Sequence, residues 1–424
     1  MEPVNIKIPF WVAVLINANI VIGSAFFLGA GKISATSGVL APFAWLICGL
    51  MLFPLVAVLA RLSIHFPLAG GIYVYSKHCL GSMWGFISGW GYFIGTVAGN
   101  AVVMHAFSKQ LQKIDAVAYG LNVIGLSGVR CDILLVLIFT FLNLLNVAFL
   151  ERAQILFALL KAIPLLIILV SVPFLFDSSH FVTTKLNWMG FFETIPLVLF
   201  AYVGIEACCA VADKIENGHR NAARVIFISF LLITIIYTVL QLALLCVFGG
   251  KKADAFLSIV PSLTSNPFLI EWGNRLIYSG LLSSFLAGFY GMFYYNNWNL
   301  YAIGREKSIV GWNYLTKLNN NQTPWVCVFV QSALVILFLL LFTKSRYLVT
   351  MGDFATTTAY ILSVISFLTL RKSFLGILAL MSSLVLFGII TKGLFSAGIY
   401  YVVPFLFILG LGIIAHVLSA YKEH

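Results

Sequence analysis

From Ile8 to Gly31 the chain runs for 24 residues without an Asp, Glu, Lys or Arg. A helix needs about 20 predominantly apolar residues to cross a bilayer, and eleven more charge-poor runs follow this one. The twelve cover 8–34, 40–62, 82–108, 131–150, 155–176, 189–212, 224–249, 272–304, 325–343, 347–370, 374–393 and 396–420. In hydrocarbon every backbone N–H and C=O must be satisfied internally, so runs of this length read as helices. Composition agrees, with 9% charged residues where a soluble domain carries roughly 25%. The fold class is therefore all-α and integral to the membrane, with about 12 transmembrane helices.

Several function classes fall away at once. The first run is too long for a signal-peptide core and has no small-residue cleavage site with a polar stretch behind it, so it is read as a permanent helix. The seven cysteines lie mostly in or beside apolar spans and form no CxxC pair, which suits buried hydrophobes rather than disulfides or metal ligands. The seven histidines form no HxxH or HExxH pattern, and there is no Walker lysine motif and no GxSxG element. No metal and no cofactor is expected, and the chain is not read as an enzyme. An integral-membrane enzyme would want clustered His, Asp or Cys, and a channel would want pore-lining repeats. The net charge of +11 is spread thinly over short loops, which suits anionic lipid headgroups and not nucleic acid.

Two interruptions stand out. Span 1 holds Gly23-Ser24 at its centre, and span 6 holds "LFAYVGIEACC" (199–209), with Gly204 and the carboxylate of Glu206. If 8–176 and 189–370 are two repeats of five spans, with 374–420 as two added helices of one transmembrane domain, the interruptions fall in corresponding places. Paired glycine-interrupted spans point to a transporter's binding site at an inverted-repeat interface. A break frees backbone groups that lipid would not tolerate but a polar cavity can use. The half-helix after it offers a positive N-terminal end, suited to a carboxylate, and the half-helix before it offers carbonyls, suited to an ammonium. An amino acid zwitterion carries both. The competing reading of span 1 is that its small residues only let helices pack closely.

Four blocks carry a family resemblance. "NIVIGSAFF" (19–27) is similar to an IGSGIF element of a first span, and "PLAGGIYVYSKHCLG" (67–81) to a PxxGGxYxY loop. "AYVGIEACCAVADKIENGHRNAARVI" (201–226) resembles a span 6 block with SFxGxE, and "NNQTPWV" (320–326) matches the T-P that opens a ninth span. In this order they resemble the amino acid–polyamine–organocation (APC) superfamily, and most closely its bacterial amino acid/polyamine antiporters such as the arginine–agmatine exchanger. The resemblance implies the five-plus-five inverted repeat of the sodium-coupled leucine transporter, with discontinuous helices 1 and 6 and transport by alternating access. It implies amino acid transport, as proton-coupled symport or as exchange, with a polyamine or amino acid/amine antiporter as the alternative. It also implies an inner (plasma) membrane location with both termini cytoplasmic. Charge bias adds little, with 13 Lys and Arg in the loops on that side against 11 on the other. A homodimer, as some relatives form, is left open.

Carried over residue by residue, the resemblance places the substrate among Ile22, Gly23, Ser24 and Ala25 on span 1 and Phe200, Ala201, Tyr202 and Gly204 on span 6. It adds Tyr92 and Asn100 on span 3, Tyr294 on span 8, and Thr356 and Thr357 on span 10, with Tyr73 and Tyr75 as gating residues. The chain departs from the pattern at Ala25, which adds a methyl, and at Phe200, a weaker cation–π surface than the exchanger's tryptophan.

Charged residues within the spans sharpen the expectation. Lys161 sits amid "ILFALLKAIPLLIILV" (155–170), where an ammonium costs several kcal/mol and marks function by default. The resemblance implies that its amine replaces the sodium ion of relatives and couples transport to protons. The competing reading is a lysine that snorkels or only pairs with carbonyls, including those freed by Pro164. Glu206 is read as a proton carrier or as a structural acceptor at the break. Glu193 and Asp353 fall near expected span ends and receive no role. Phe200 and the scarcity of cavity carboxylates lean the substrate toward neutral amino acids.

Overall fold

A computed structural model describes residues 7–183, 186–250, 255–342, 345–397 and 399–422. Lys185, Lys251, Lys252 and Lys344 of the charge count and His424 of the histidines lie outside the described residues. All regular structure within them is helical, apart from one parallel bridge between Ile8 and Ile215.

Span 1 is split into Phe10–Val21 and Ser24–Ser37, and span 2 is Ala41–His65. A short inner helix, Gly71–Leu80, leads into span 3 (Ser82–Leu111), followed by span 4 (Val129–Leu142) and span 5 (Val147–Leu175). Span 6 is Trp188–Phe200 continued by the 3-10 helix Ala207–Lys214. Spans 7 to 12 are Gly218–Phe248, Pro267–Arg305, Trp325–Leu341, Ser345–Leu370, Phe374–Ala397 and Ile399–Lys422. Among the described residues eight helices are long and apolar enough to cross a membrane by length and composition. Phe10–Val21 and Trp188–Phe200 are shorter because each is only the first half of an interrupted span.

One boundary differs from the sequence reading, which divided spans 4 and 5 near Glu151-Arg152. The division lies at Asn143–Asn146. The Asn143 side chain donates to the Phe139 carbonyl, and that of Asn146 accepts from the Phe149 amide as an N-cap. Asparagine offers the backbone an alternative partner and so starts or stops helices, whereas Glu151 and Arg152 sit without strain on the partly exposed face of span 5. The loops also hold short helices at Asp115–Val123, Ala255–Leu263 and Trp312–Leu315.

Span 10 packs along span 3, span 8 along spans 5 and 3, and span 1 against spans 5, 7 and 8. Close approach of spans 3 and 10 depends on small residues. A Cβ on Gly95 would lie 2.7 Å from the Gly352 carbonyl, the kind of contact that glycine permits between membrane helices. Span 11 packs on spans 2 and 10 and span 12 on span 3. Their exposed side chains, such as Leu384, Val385, Phe407 and Leu411, match a surface solvated by hydrocarbon.

Candidate functional site

At the centre of span 1 the helix stops at Val21. Ile22 (φ −70°, ψ 73°) and Gly23 (φ −107°, ψ −166°) leave helical geometry, and a new helix begins at Ser24. The first amides of a helix have no partner within it, so the N-terminal end of the second half-helix is open where Gly23 and Ala25 line a cavity. The freed carbonyls have been claimed. The Lys161 ammonium, 3% exposed, donates to the carbonyls of Asn19 (2.7 Å) and Ile22 (2.5 Å). The Tyr237 hydroxyl, from span 7, donates to Val21 (2.8 Å) and lies 3.2 Å from the Ala201 carbonyl.

Span 6 comes apart differently. After Phe200 six turn residues precede the 3-10 helix, and Gly204 adopts φ +102°, a left-handed geometry that only glycine takes without strain. Asn17 of span 1 reaches the loosened backbone. Its Nδ2 donates to the Ile205 carbonyl (2.7 Å) and to Ser229 (2.8 Å), and its Oδ1 accepts from the Cys208 amide (3.2 Å). The two breaks are thus joined by a side chain from span 1 and a hydroxyl from span 7.

Between them lies a central cavity of about 110 Å³, well under the roughly 300 Å³ of a drug-sized pocket. Gly23, Ala25, Asn100, Phe200, Ala201 and Thr356 are on its wall, with Ser284 and Met292 from span 8. Asn100 is buried, and its Nδ2 has no partner among the described residues, so it is a donor left for a solute. The other sequence candidates stand back from the wall. Ile22 gives its carbonyl to Lys161, and Gly204 packs behind Ile20 and Met292. Tyr202 donates to the Trp45 carbonyl (2.9 Å) and packs on Trp45, Phe230 and Tyr237. Tyr294 is buried beside Tyr295 and Trp298. The Ser24 side chain lies outside the described residues. Thr357 lines a second, larger space of about 880 Å³, a vestibule bounded by spans 6, 10 and 11.

The two carboxylates contrast. Glu206 is 1% exposed and off the cavity wall, and its Oε1 accepts from the Tyr92 hydroxyl at 2.7 Å. Tyr92, also off the wall, thus serves Glu206. Asp353 was placed near a span end by sequence, but it is the ninth residue of the helix Ser345–Leu370 and lines both the cavity and the vestibule. Sequence reasoning missed it, together with Asn17 and Tyr237. The available signal was spacing, since Asp353, Thr356 and Thr357 stand at i, i+3 and i+4 and share a helix face.

The side of the molecule bearing the N-terminus is closed. Tyr73 is 1% exposed, with its hydroxyl 2.7 Å from the Ser308 hydroxyl. Tyr75 is fully buried against Phe66 with no partner for its hydroxyl among the described residues. Gly70 (φ +97°) donates its amide to the Ala210 carbonyl, and a Cβ there would sit 2.2 Å from that of Ala302. Lys77 pairs with Glu306 at 2.9 Å. Burial acts to raise the Glu306 carboxyl, but the Lys77 hydrogen bond and the charges of Lys77, Arg305 and His78 outweigh it and hold the group below the usual carboxylate range. This tie is therefore intact at neutral pH and is lost only as pH falls through that lowered value. The last helix joins the closure, with His416 Nδ1 donating to the Ser308 carbonyl (2.6 Å) and the Ser419 hydroxyl to that of Lys307 (2.9 Å).

A breach in each of two packed spans, a cavity between them, one side sealed and the other opening into a vestibule make a carrier's architecture. Known proteins agree. The chain is 26% identical to the serine/threonine exchanger SteT of Bacillus subtilis, over 83% of this chain and 80% of that one. It is 25% identical to the aspartate–proton symporter of the same organism, over 84% and 71%. Among solved structures, a Na+-coupled sialic acid symporter in a substrate-bound outward-open state superposes with a TM-score of 0.56 at 12% identity, over 90% of this chain and 89% of that one. That likeness speaks for the fold alone. The family model described as amino acid permease matches residues 8–420, nearly the whole chain, so the chain belongs to the amino acid permease family of APC transporters.

Proposed function

We propose that the protein carries amino acids across the plasma membrane by alternating access, coupled to protons or to counter-movement of a second amino acid. The termini lie on the cytoplasmic face, and spans 1–5 and 6–10 act as the two inverted repeats. The observation that carries the reading is the pair of facing breaks around one small cavity, with Lys161 fastened to the carbonyls of the first. The substrate carboxylate sits at the amides that open the helix at Ser24, with Asn100 as a further donor, and its ammonium meets backbone carbonyls beside Ala201. Lys161 occupies the place that a coupling cation fills in sodium-driven carriers. With its proton it clamps span 1 to span 5, and without it the clamp loosens. Glu206, held by Tyr92 and remote from the wall, positions the span 6 backbone and moves no proton. Tyr73 and Tyr75 belong to the seal that must part when the cavity faces inward.

Counterflow in proteoliposomes tests this. Uptake of a labelled amino acid accelerated by the same amino acid inside, and saturable, is the expected result. Unsaturable flux that follows the gradient alone would mean a channel and sink the proposal.

A further inference from the structure

Among the described residues Asp353 is the only ionisable side chain on the wall of the central cavity. It also lines the vestibule, a double position shared with Phe200, Val203 and Val349. These four residues therefore form the join between the two spaces, and a solute moving from one to the other passes them. Asp353 is half-buried, and its carboxylate has no hydrogen bond and no ion pair among the described residues. The other intramembrane charges do not serve it. Lys161 spends its ammonium on Asn19 and Ile22, and Glu206 is itself a carboxyl group.

A carboxylate at this depth is costly unless a positive charge faces it. Among the described side chains none supplies one, and a cationic group on the solute would. On the transport reading the amides at Ser24 take the substrate carboxylate and backbone carbonyls beside Ala201 take its ammonium, two charges that cancel, which leaves Asp353 for a third charged group. The cavity is too small for a long side chain, but it continues past Asp353 into the vestibule. A substrate seated on the breaks would thus place its far end at the join. Phe200 lines the same join, and an aromatic ring and a carboxylate on one wall are a fitting seat for an organic cation.

Resting on the transport reading above, we propose that Asp353 is a specificity-determining residue. Its carboxylate pairs with an ammonium or guanidinium at the distal end of the substrate. The site then selects amino acids with basic side chains over neutral ones of equal length, which reverses the lean toward neutral substrates drawn from sequence.

The experiment compares counterflow of labelled lysine and norleucine, which differ in the distal ammonium, in proteoliposomes holding the full-length protein or Asp353→Asn, while external pH is recorded. Wild type is expected to favour lysine by roughly tenfold or more. That ratio should collapse in Asp353→Asn and return in Asp353→Glu, with monodisperse elution showing that each variant is folded. Wild type carrying norleucine as readily as lysine overturns the assignment without recourse to any variant. So does a ratio that survives Asp353→Asn, and so does neutral uptake accompanied by a proton that Asp353→Asn abolishes, since the carboxylate would then be a proton carrier. Failure of wild type to carry any amino acid would remove the transport reading, and this assignment with it. The earlier outcomes remove only the role of Asp353.

Discussion

Spans 1 and 6 are both broken, but they are broken by different means. Span 1 leaves helical geometry for only two residues and resumes at once, and Gly23 holds a φ of −107° that any residue adopts. Nothing in its own backbone forces the break. Span 6 needs six turn residues, takes a φ of +102° at Gly204 and returns as a 3-10 helix. The first break is held open from outside, by Lys161 of span 5 and Tyr237 of span 7 on its carbonyls. The second is written into its own chain and steadied by Asn17. A break held by a titratable amine can answer to a proton, whereas one fixed by backbone chirality cannot. Span 1 is on this view the element that responds, and span 6 the element it responds against.

The largest effect should follow loss of the clamp. Lys161→Ala removes the amine donor from two buried carbonyls, a change worth roughly 1–3 kcal/mol. Counterflow should drop about a hundredfold and what remains should not vary with external pH. Persistence of proton-dependent uptake would erase the distinction between the breaks. A paired substitution sharpens it further. Gly204→Ala meets a forbidden φ and the Met292 Cε 3.3 Å away, at a cost of about 1–3 kcal/mol, read as a lower thermal midpoint. Gly23→Ala would place its Cβ no closer than 3.6 Å to any neighbour, so stability should hold within about 0.5 kcal/mol while substrate affinity weakens as a methyl enters the cavity. The reverse order of stabilities would contradict the comparison. Tyr237→Phe is the mildest test, removing one hydroxyl shared between Val21 and Ala201 for about 1 kcal/mol. It should lower the denaturation midpoint slightly and slow counterflow without altering its pH dependence.

The spans were legible in sequence because hydrocarbon tolerates no short cuts in length or charge. Both breaks were legible because glycine and small residues stood where leucine was expected, and Lys161 because apolar sequence flanks it on both sides. Asp353 was lost because the expected start of span 10 put it within two turns of water, a judgement that depth along one helix cannot settle. Its spacing from Thr356 and Thr357 carried the missing information. Asn17 and Tyr237 act across the bundle, and a polar residue in an apolar span announces no partner until neighbours are placed around it. The reverse holds for Tyr202 and Tyr294. They stand one or two positions from wall residues in sequence, but the local backbone turns one onto Trp45 and the other onto Trp298.

The bonds from His416 and Ser419 to Ser308 and Lys307 bear on how the protein is handled. The twelfth helix lies outside the two proposed repeats, and a truncation for crystallisation or a rigid fusion at the carboxy end would look harmless. Yet Ser308 also meets Tyr73, so trimming back past His416 strips a fastener from the closed side and biases the very cycle such a protein would be made to report.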